Sequence, residues 1–287
     1  MIDATRSLKL TAQMIKIEHS VFALPFAYMG AFLAARGWPG LKNMLALTVA
    51  MVAVRSFAMT VNRLVDKRLD AVNPRTKDRA LVTGELSTGF AVTFTLGCAV
   101  VFLAACAAMN ILCLKLAPLA LAWSAFYSYT KRFTWLCHFV LGSVLGLAPV
   151  AGWLCVDPSF HLVQALLLLG VTFWTAGFDI LYASQDTDFD KQRGLHSLPS
   201  RFGVGPALFL SSFSHVNAGI FFLLAGAAAG LGWIYMVVAL AVCGVLFWEH
   251  AMLSPDDLSR VNTAFFTLNG VISVGLFVGL LLELYCA

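Results

Sequence analysis

In VNRLVDKRLD (61–70), Asn62, Asp66 and Asp70 recur at every fourth position. A second row, Tyr182, Asp186 and Asp190, repeats that spacing in FDILYASQDTDFDKQRG (178–194), with Asp179 a turn earlier and Asp188 off the row. Residues four apart share one helix face, so each row predicts a patch of oxygen ligands. Four carboxylates converging on one cavity repel one another unless cations neutralise them. Hard divalent ions suit such donors: magnesium accepts one or two carboxylates, keeps some waters and takes further oxygens from phosphates. Basic residues adjoin both rows. Arg63, Lys67, Arg75, Lys77 and Arg79 accompany the first, Lys191, Arg193 and Arg201 the second, and Lys131–Arg132 follows Tyr127 and Tyr129 in YSYTKR. Together they describe metal-assisted handling of a diphosphate. The plainer reading is that charge marks where a helix leaves lipid and that basic residues gather on one side, which accounts for Lys77 and Arg201. One cluster fits that reading as well as the other. Two clusters in the same register, 120 residues apart, favour a shared site.

The elements that must carry these rows are membrane helices. The chain is 60% hydrophobic and 12% charged over 287 residues, outside the range of soluble domains. Apolar segments long enough to cross a bilayer fall at 20–36, 42–65, 90–109, 111–128, 137–155, 162–185, 206–229, 231–250 and 262–284. The amphipathic start, Met1 to Lys16, lacks the pattern of a cleavable signal, so the first segment is expected to be retained. If the N-terminus lies in the cytoplasm, fifteen of the nineteen basic residues fall on that side, all but Arg36, Lys42, Arg55 and Lys115. The C-terminus is then outside, and both acidic rows end their segments on the cytoplasmic face. The net charge of +4 fits a basic rim beside anionic lipid, and nucleic acid is not an expected partner. Arg55, seven residues before Asn62 on the same stripe, is costly in lipid unless it faces the bundle interior. The seven cysteines form no C-x-x-C pair and read as small buried hydrophobes, and the six histidines show no zinc motif. Glu18–His19 reads as an interfacial helix start, Glu249–His250 as an interface end and Asp256–Asp257 as a solvated loop. The matching rows suggest a single domain of two duplicated halves, roughly 16–130 and 131–250, followed by a ninth helix.

In order along the chain, N-x-x-x-D-x-x-x-D (62–70), Y-x-x-x-K-R (127–132) and D-x-x-Y-x-x-x-D-x-x-x-D (179–190) resemble the motifs of the UbiA superfamily of intramembrane aromatic prenyltransferases. The resemblance continues through NPRTKDR (73–79), Gly194, Ser197 and RFG (201–203). It implies an all-α bundle of nine transmembrane helices around a central cavity, with cytoplasmic caps after helices 2 and 6. It further implies two magnesium ions bridging the diphosphate, one held by Asn62, Asp66 and Asp70 and the other by Asp186 and Asp190. Lys131 and Arg132 match the family's diphosphate-contacting pair, and Arg55 its deep arginine. Three departures stand out: Arg63 where the family often has Asp, Cys137–His138 in place of a common Pro-Gln, and IEHSVFALPFAYMG (17–30) at the first helix. The last resembles the branch associated with menaquinone made by way of futalosine.

The reaction so implied transfers a polyprenyl group from polyprenyl diphosphate to the ring of a small aromatic carboxylic acid, 4-hydroxybenzoate or a dihydroxynaphthoate, in ubiquinone or menaquinone biosynthesis in a bacterial inner membrane or its equivalent. Metal ions and basic groups, including Arg75, Arg79 and Lys191, would stabilise the departing diphosphate. Tyr127, Tyr129, Phe178 and Tyr182 are candidates to stabilise an allylic cation through their rings. Asp179 is a candidate for ring deprotonation, for orienting Tyr182, or for a structural pair with Arg55. Arg55 and Arg75 are candidates to bind the acceptor's carboxylate. Other acceptors (haem, chlorophyllide, homogentisate, glycerol phosphate) are the alternatives within the family, and a secondary transporter is the alternative outside it. A CDP-alcohol phosphotransferase also uses spaced aspartates, but its D-G-x-x-A-R run is missing.

Overall fold

The computed structural model describes residues 4–16, 20–261 and 267–287. Glu18–His19 and the start of the ninth predicted segment, 262–266, lie outside the described residues. Every named element is a helix: α1 (Ala4–Ile15), α2 (Ser20–Ala35), α3 (Leu41–Asp70), α4 (Ala80–Thr83), α5 (Thr88–Met109), α6 (Ile111–Thr130), α7 (Cys137–Val156), α8 (Leu162–Ala183), α9 (Thr187–Gln192), α10 (Leu198–Phe202), α11 (Val204–Ala228), α12 (Trp233–Ala251) and α13 (Asn269–Cys286). Among the described residues eight helices are long and apolar enough to cross a membrane, and α2 is a shorter apolar helix at the first predicted segment.

Lipid tails are as apolar as leucine, so close backbone approach and interhelical hydrogen bonds must hold such a bundle together. Gly30 of α2 and Gly152 of α7 supply one approach. A Cβ at Gly152 would lie 1.8 Å from the Ala27 carbonyl oxygen, and one at Gly30 would lie 1.9 Å from that of Pro149. Gly142 brings α7 close to the backbone of α8, where a Cβ would lie 2.2 Å from the Thr172 carbonyl oxygen. Hydrogen bonds lock neighbouring helices: Ser211 Oγ donates to the Gly177 carbonyl at 2.7 Å, and Trp123 Nε1 to Ser143 Oγ at 2.8 Å. Asn110 alone separates α5 from α6. Its side chain accepts from the Cys113 amide at 2.9 Å, capping α6, and donates to the Leu154 carbonyl at 2.7 Å, tying that corner to α7.

Two features position the site. Helix α3 runs unbroken for 30 residues, past the last apolar residues to Asp70, so the first row stands on a regular helix. The second row does not. Helix α8 gives way at Ser184–Asp186 to one 3-10 turn before α9 resumes. Ser184 Oγ donates back to the Ile180 carbonyl at 3.0 Å and Thr187 Oγ1 to the Ser184 carbonyl at 2.8 Å, the local competition by which Ser and Thr bend a helix. Tyr182, Asp186 and Asp190 are therefore carried across a 3-10 turn, and all three still line one cavity. The connections after α3 and after α8 meet at the same end of the bundle.

Candidate active site

A cavity of about 180 Å³ opens at that end, walled by α3, α6, α7 and α8 and closed over by the two connections. Asn62, Asp66, Asp70, Arg75, Arg79, Tyr127, Lys131, Asp179, Tyr182, Asp186 and Asp190 all line it. Residues 120 positions apart in sequence thus share one chamber.

Each carboxylate of the rows is already engaged. Asp66, 2% exposed, accepts from Lys131 Nζ at 2.6 Å and from Arg132 Nη2 at 2.8 Å, with the Asn62 amide at 3.3 Å. Arg132 is braced by the Ser128 carbonyl at 2.7 Å and the Val65 carbonyl at 3.1 Å, which joins the end of α6 to α3. Asp70 accepts from Arg79 Nη1 at 2.6 Å. Both oxygens of Asp186 are gripped along one edge of the Arg75 guanidinium, from Nε at 3.0 Å and from Nη2, while Arg75 Nη1 donates to the Tyr182 hydroxyl at 3.0 Å. Burial alone would weaken the Arg75 charge, but the hydrogen bonds and charge of Asp186 outweigh it and hold the guanidinium pKa above its ordinary value. Asp190 accepts from Ser197 Oγ at 2.8 Å. A Lys131 carbonyl that accepts from the His196 amide at 2.7 Å fastens the connection after α8 to the end of α6.

Not every expected residue faces the cavity. Arg55 lies deeper on α3, and Lys191 is exposed on α9; neither is part of the lining. Tyr129 is exposed and lies beneath the Arg132 guanidinium, 5.6 Å from ring centre to Cζ, and Phe178 is packed against Trp174. Tyr127 and Tyr182 are the expected aromatic residues that line the chamber. Asp179 accepts from His138 Nδ1 at 2.7 Å. Arg63, 7% exposed, does line the chamber: it donates from Nη1 to Asn62 Oδ1 at 3.4 Å and from Nε to the Met14 carbonyl of α1 at 3.4 Å.

Sequence reasoning missed His138 as a site residue, although its departure from Pro-Gln was the available signal. It also missed Ser128, whose buried hydroxyl on the cavity wall has no hydrogen-bond partner among the described residues. An orphaned hydroxyl beside Lys131 and Asp66 suits an oxygen-rich ligand. The donor set suits magnesium, because every ligand atom offered by the rows is a hard oxygen. Among the described residues no three His, Cys, Asp or Glu side chains form a ready-made cage, which fits an ion that shares its ligands between protein and phosphate.

The model of the UbiA prenyltransferase family matches residues 23–271. A 4-hydroxybenzoate octaprenyltransferase of Pseudoalteromonas translucida is 28% identical over 256 residues, covering 88% of this chain and 86% of that protein. One from Pseudomonas fluorescens is 29% identical over 256 residues, with 88% and 84% covered. Among solved structures, the apo structure of a UbiA homologue from Aeropyrum pernix is 33% identical and superimposes with a TM-score of 0.84, covering 93% of this chain and 98% of that one. A UbiA homologue from Archaeoglobus fulgidus bound to DMAPP and Mg2+ shares the fold at 19% identity, with a TM-score of 0.76 over 96% of this chain and 99% of that one.

Proposed function

The chain belongs to the UbiA prenyltransferase family and is a membrane prenyltransferase, and from that premise we propose that it transfers a polyprenyl group from polyprenyl diphosphate to a ring carbon of a small aromatic carboxylic acid. The observation that carries this reading is the convergence of Asp66, Asp70, Asp186 and Asp190 with Arg75, Arg79 and Lys131 on one cavity that also holds Tyr127, Tyr182 and Asp179. 4-Hydroxybenzoate is the first acceptor to consider, because the curated relatives act on it by name.

Asn62, Asp66 and Asp70 would hold one magnesium ion and Asp186 and Asp190 a second, the metal supplying Lewis-acid neutralisation of the diphosphate. Lys131, Arg132, Arg75 and Arg79 stand ready to exchange carboxylate partners for phosphate oxygens, and Arg75 offers the two-pronged geometry that phosphate accepts best. Ser128 Oγ adds a neutral donor. As the carbon–oxygen bond breaks, the diphosphate leaves with its electron pair and these groups stabilise its charge. The allylic cation is held among the rings of Tyr127 and Tyr182 and away from bulk water by the two connections. Of the two arginines expected to meet the acceptor's carboxylate, Arg75 lines the chamber and is the side chain placed to do so, whereas Arg55 lies deeper on α3 outside the lining. In this reading α2 is the ninth membrane span, the N-terminus and the capped cavity are cytoplasmic, and the polyprenyl chain lies among lipid-facing helices.

Membranes containing the protein, given labelled polyprenyl diphosphate with 4-hydroxybenzoate, a dihydroxynaphthoate or homogentisate, test the reading. A lipid-soluble adduct is expected with 4-hydroxybenzoate and its loss on chelation of magnesium. An adduct with the dihydroxynaphthoate alone moves the acceptor to the menaquinone side; product with no aromatic acid overturns the proposal.

A further inference from the structure

Glu249–His250, read from sequence as an interface end, belongs to a buried cluster outside the catalytic cavity. His250 is the last residue but one of α12. Its Nε2 lies 2.9 Å from Nδ1 of His215 on α11, and Nε2 of His215 lies 3.2 Å from the Trp174 carbonyl oxygen of α8. The packing leaves room for this chain: a Cβ at Gly177 would lie 2.1 Å from His215 Cδ2. The carbonyl sets the direction of the bonds. Its oxygen only accepts, so His215 Nε2 carries a proton. His215 is 2% exposed. Glu249, 0% exposed, brings Oε2 to 3.5 Å from His215 Nδ1, yet neither of its oxygens has a hydrogen-bond partner among the described residues. An ion pair there would be desolvated with no donor to hold the carboxylate, so both groups stay neutral. Neutral His215 then accepts at Nδ1, His250 donates from Nε2, and His250 Nδ1 is left as an acceptor.

The two rings line a cavity of about 230 Å³ between α11 and α12, together with Ser212. Val216, Ile220 and Phe247, exposed and apolar, border it, so it opens sideways toward lipid. Among the described residues its lining holds no lysine or arginine. An occupant must therefore arrive through lipid, carry no charge and bring a hydrogen-bond donor. Rings with a polar edge settle at the headgroup level of a bilayer, the level at which the sequence places Glu249–His250. A phenol is also a stronger donor to an imidazole than an aliphatic alcohol. We propose that this cavity binds an uncharged phenol borne on a lipid tail, such as a quinol, whose ring hydroxyl donates to His250 Nδ1. The bound hydroxyl joins a chain of hydrogen bonds that runs through both imidazoles to the Trp174 carbonyl, and such chains strengthen each member. The site goes beyond the prenyl-transfer reading and shares no residue with the catalytic cavity.

The test uses the full-length protein in phosphatidylcholine nanodiscs and tritiated 2-geranylphenol, displaced by the unlabelled compound. Saturable, displaceable binding is expected. The methyl ether, which lacks the donor, should bind about 10-fold more weakly, the scale of one hydrogen bond, and geraniol, which has a hydroxyl but no ring, should fall at least as far. 3-Geranyl-4-hydroxybenzoate carries a carboxylate that the lining cannot pair and should also bind more weakly. His250→Phe should weaken the phenol by about 10-fold and leave the ether unchanged. His250→Gln, whose amide oxygen can accept, should recover part of the loss. Val216→Trp fills the mouth from the lipid side and should abolish displaceable binding with prenyl transfer unchanged. Absence of displaceable binding, equal affinity for phenol and ether, or a preference for the phenol that survives His250→Phe overturns the proposal. Tighter binding of the prenylated acid or of geraniol overturns the class of ligand. Loss of binding in Asp186→Ala would place the phenol in the catalytic cavity and overturn the site. If His250→Phe does not fold, Val216→Trp and the phenol–ether pair in the wild type decide. A wild-type protein that prenylates no aromatic acid would sink the functional reading and leave this binding as it is, which separates the two claims.

Discussion

At the end of α3, Asn62, Asp66 and Asp70 ride on one unbroken helix and are matched by cations from outside it, Lys131 and Arg132 from the end of α6 and Arg79 from the following connection. At the end of α8, Asp186 and Asp190 straddle a 3-10 turn and are matched by Arg75, from the connection after α3, and by the hydroxyl of Ser197. The same side chains at the same interval are thus held in two ways. The first row is rigid and heavily charged on both sides. The second crosses a 3-10 turn and is joined, through Arg75, to the connection that follows the first. Arg75, reaching from the connection after α3 into the second row, and His196, whose amide ties the connection after α8 to the Lys131 carbonyl beside the first row, make the cavity one unit, and that is the feature whose loss should show most in activity.

If the rows act as a unit, Asp66→Ala and Asp186→Ala should each lower product formation by roughly 10²- to 10³-fold or more, the scale of removing one electrostatic stabiliser. The double variant should be little worse than either single, as for groups that work together. Stability should separate them. Asp66→Ala strands Lys131 and Arg132 beside a nearly fully buried position, whereas Asp186→Ala frees a partly exposed Arg75. The Asp66 variant should therefore melt at the lower temperature in detergent micelles. Additive losses in activity would show two independent half-sites and break the comparison.

The first row was legible in sequence because its periodicity is that of a regular helix and nothing in 62–70 interrupts it. The apolar segments likewise fell within a few residues of the helices: 137–155 is the helix Cys137–Val156, and 111–128 lies within Ile111–Thr130. What resisted reading was side-chain direction. The spacing places Tyr129 beside Tyr127, yet successive positions on a helix point about 100° apart, so Tyr127 lines the cavity while Tyr129 is exposed. The 3-10 turn at Ser184–Asp186 goes with Ser184 and Thr187 bonding their own backbone, a choice that a hydrophobic pattern does not encode. His138 became a site residue only through contacts with Asp179 and Leu198, 41 and 60 residues away, and such distances are invisible in one chain.

The bridge itself is the next place to press. Arg75→Lys keeps the charge but loses the paired contact with Asp186 and the bond to the Tyr182 hydroxyl. One or two charged hydrogen bonds are worth enough for a loss of about 10- to 100-fold in kcat/KM for polyprenyl diphosphate. If charge alone matters, Lys will match the wild type, and the rows are then coupled through substrate and not through the protein.

Ser197→Ala probes the weaker partner and should have the smallest effect. The Ser197 hydroxyl accepts from the Ser200 amide at 3.3 Å while Ser200 Oγ accepts from the Ser197 amide at 2.8 Å, a reciprocal cap on α10, and it donates to Asp190. Removing the cap costs about 1 kcal/mol, and losing the donor leaves Asp190 with one fewer tether but with water at hand. Activity should fall only a few-fold, and Ser197→Thr, which keeps the hydroxyl, should recover it. A loss as large as that of Arg75→Lys would mean that Asp190 depends on its hydroxyl tether as strongly as Asp186 depends on its guanidinium. The difference between the two carboxylates of the second row would then lie in their chemistry and not in how firmly each is held.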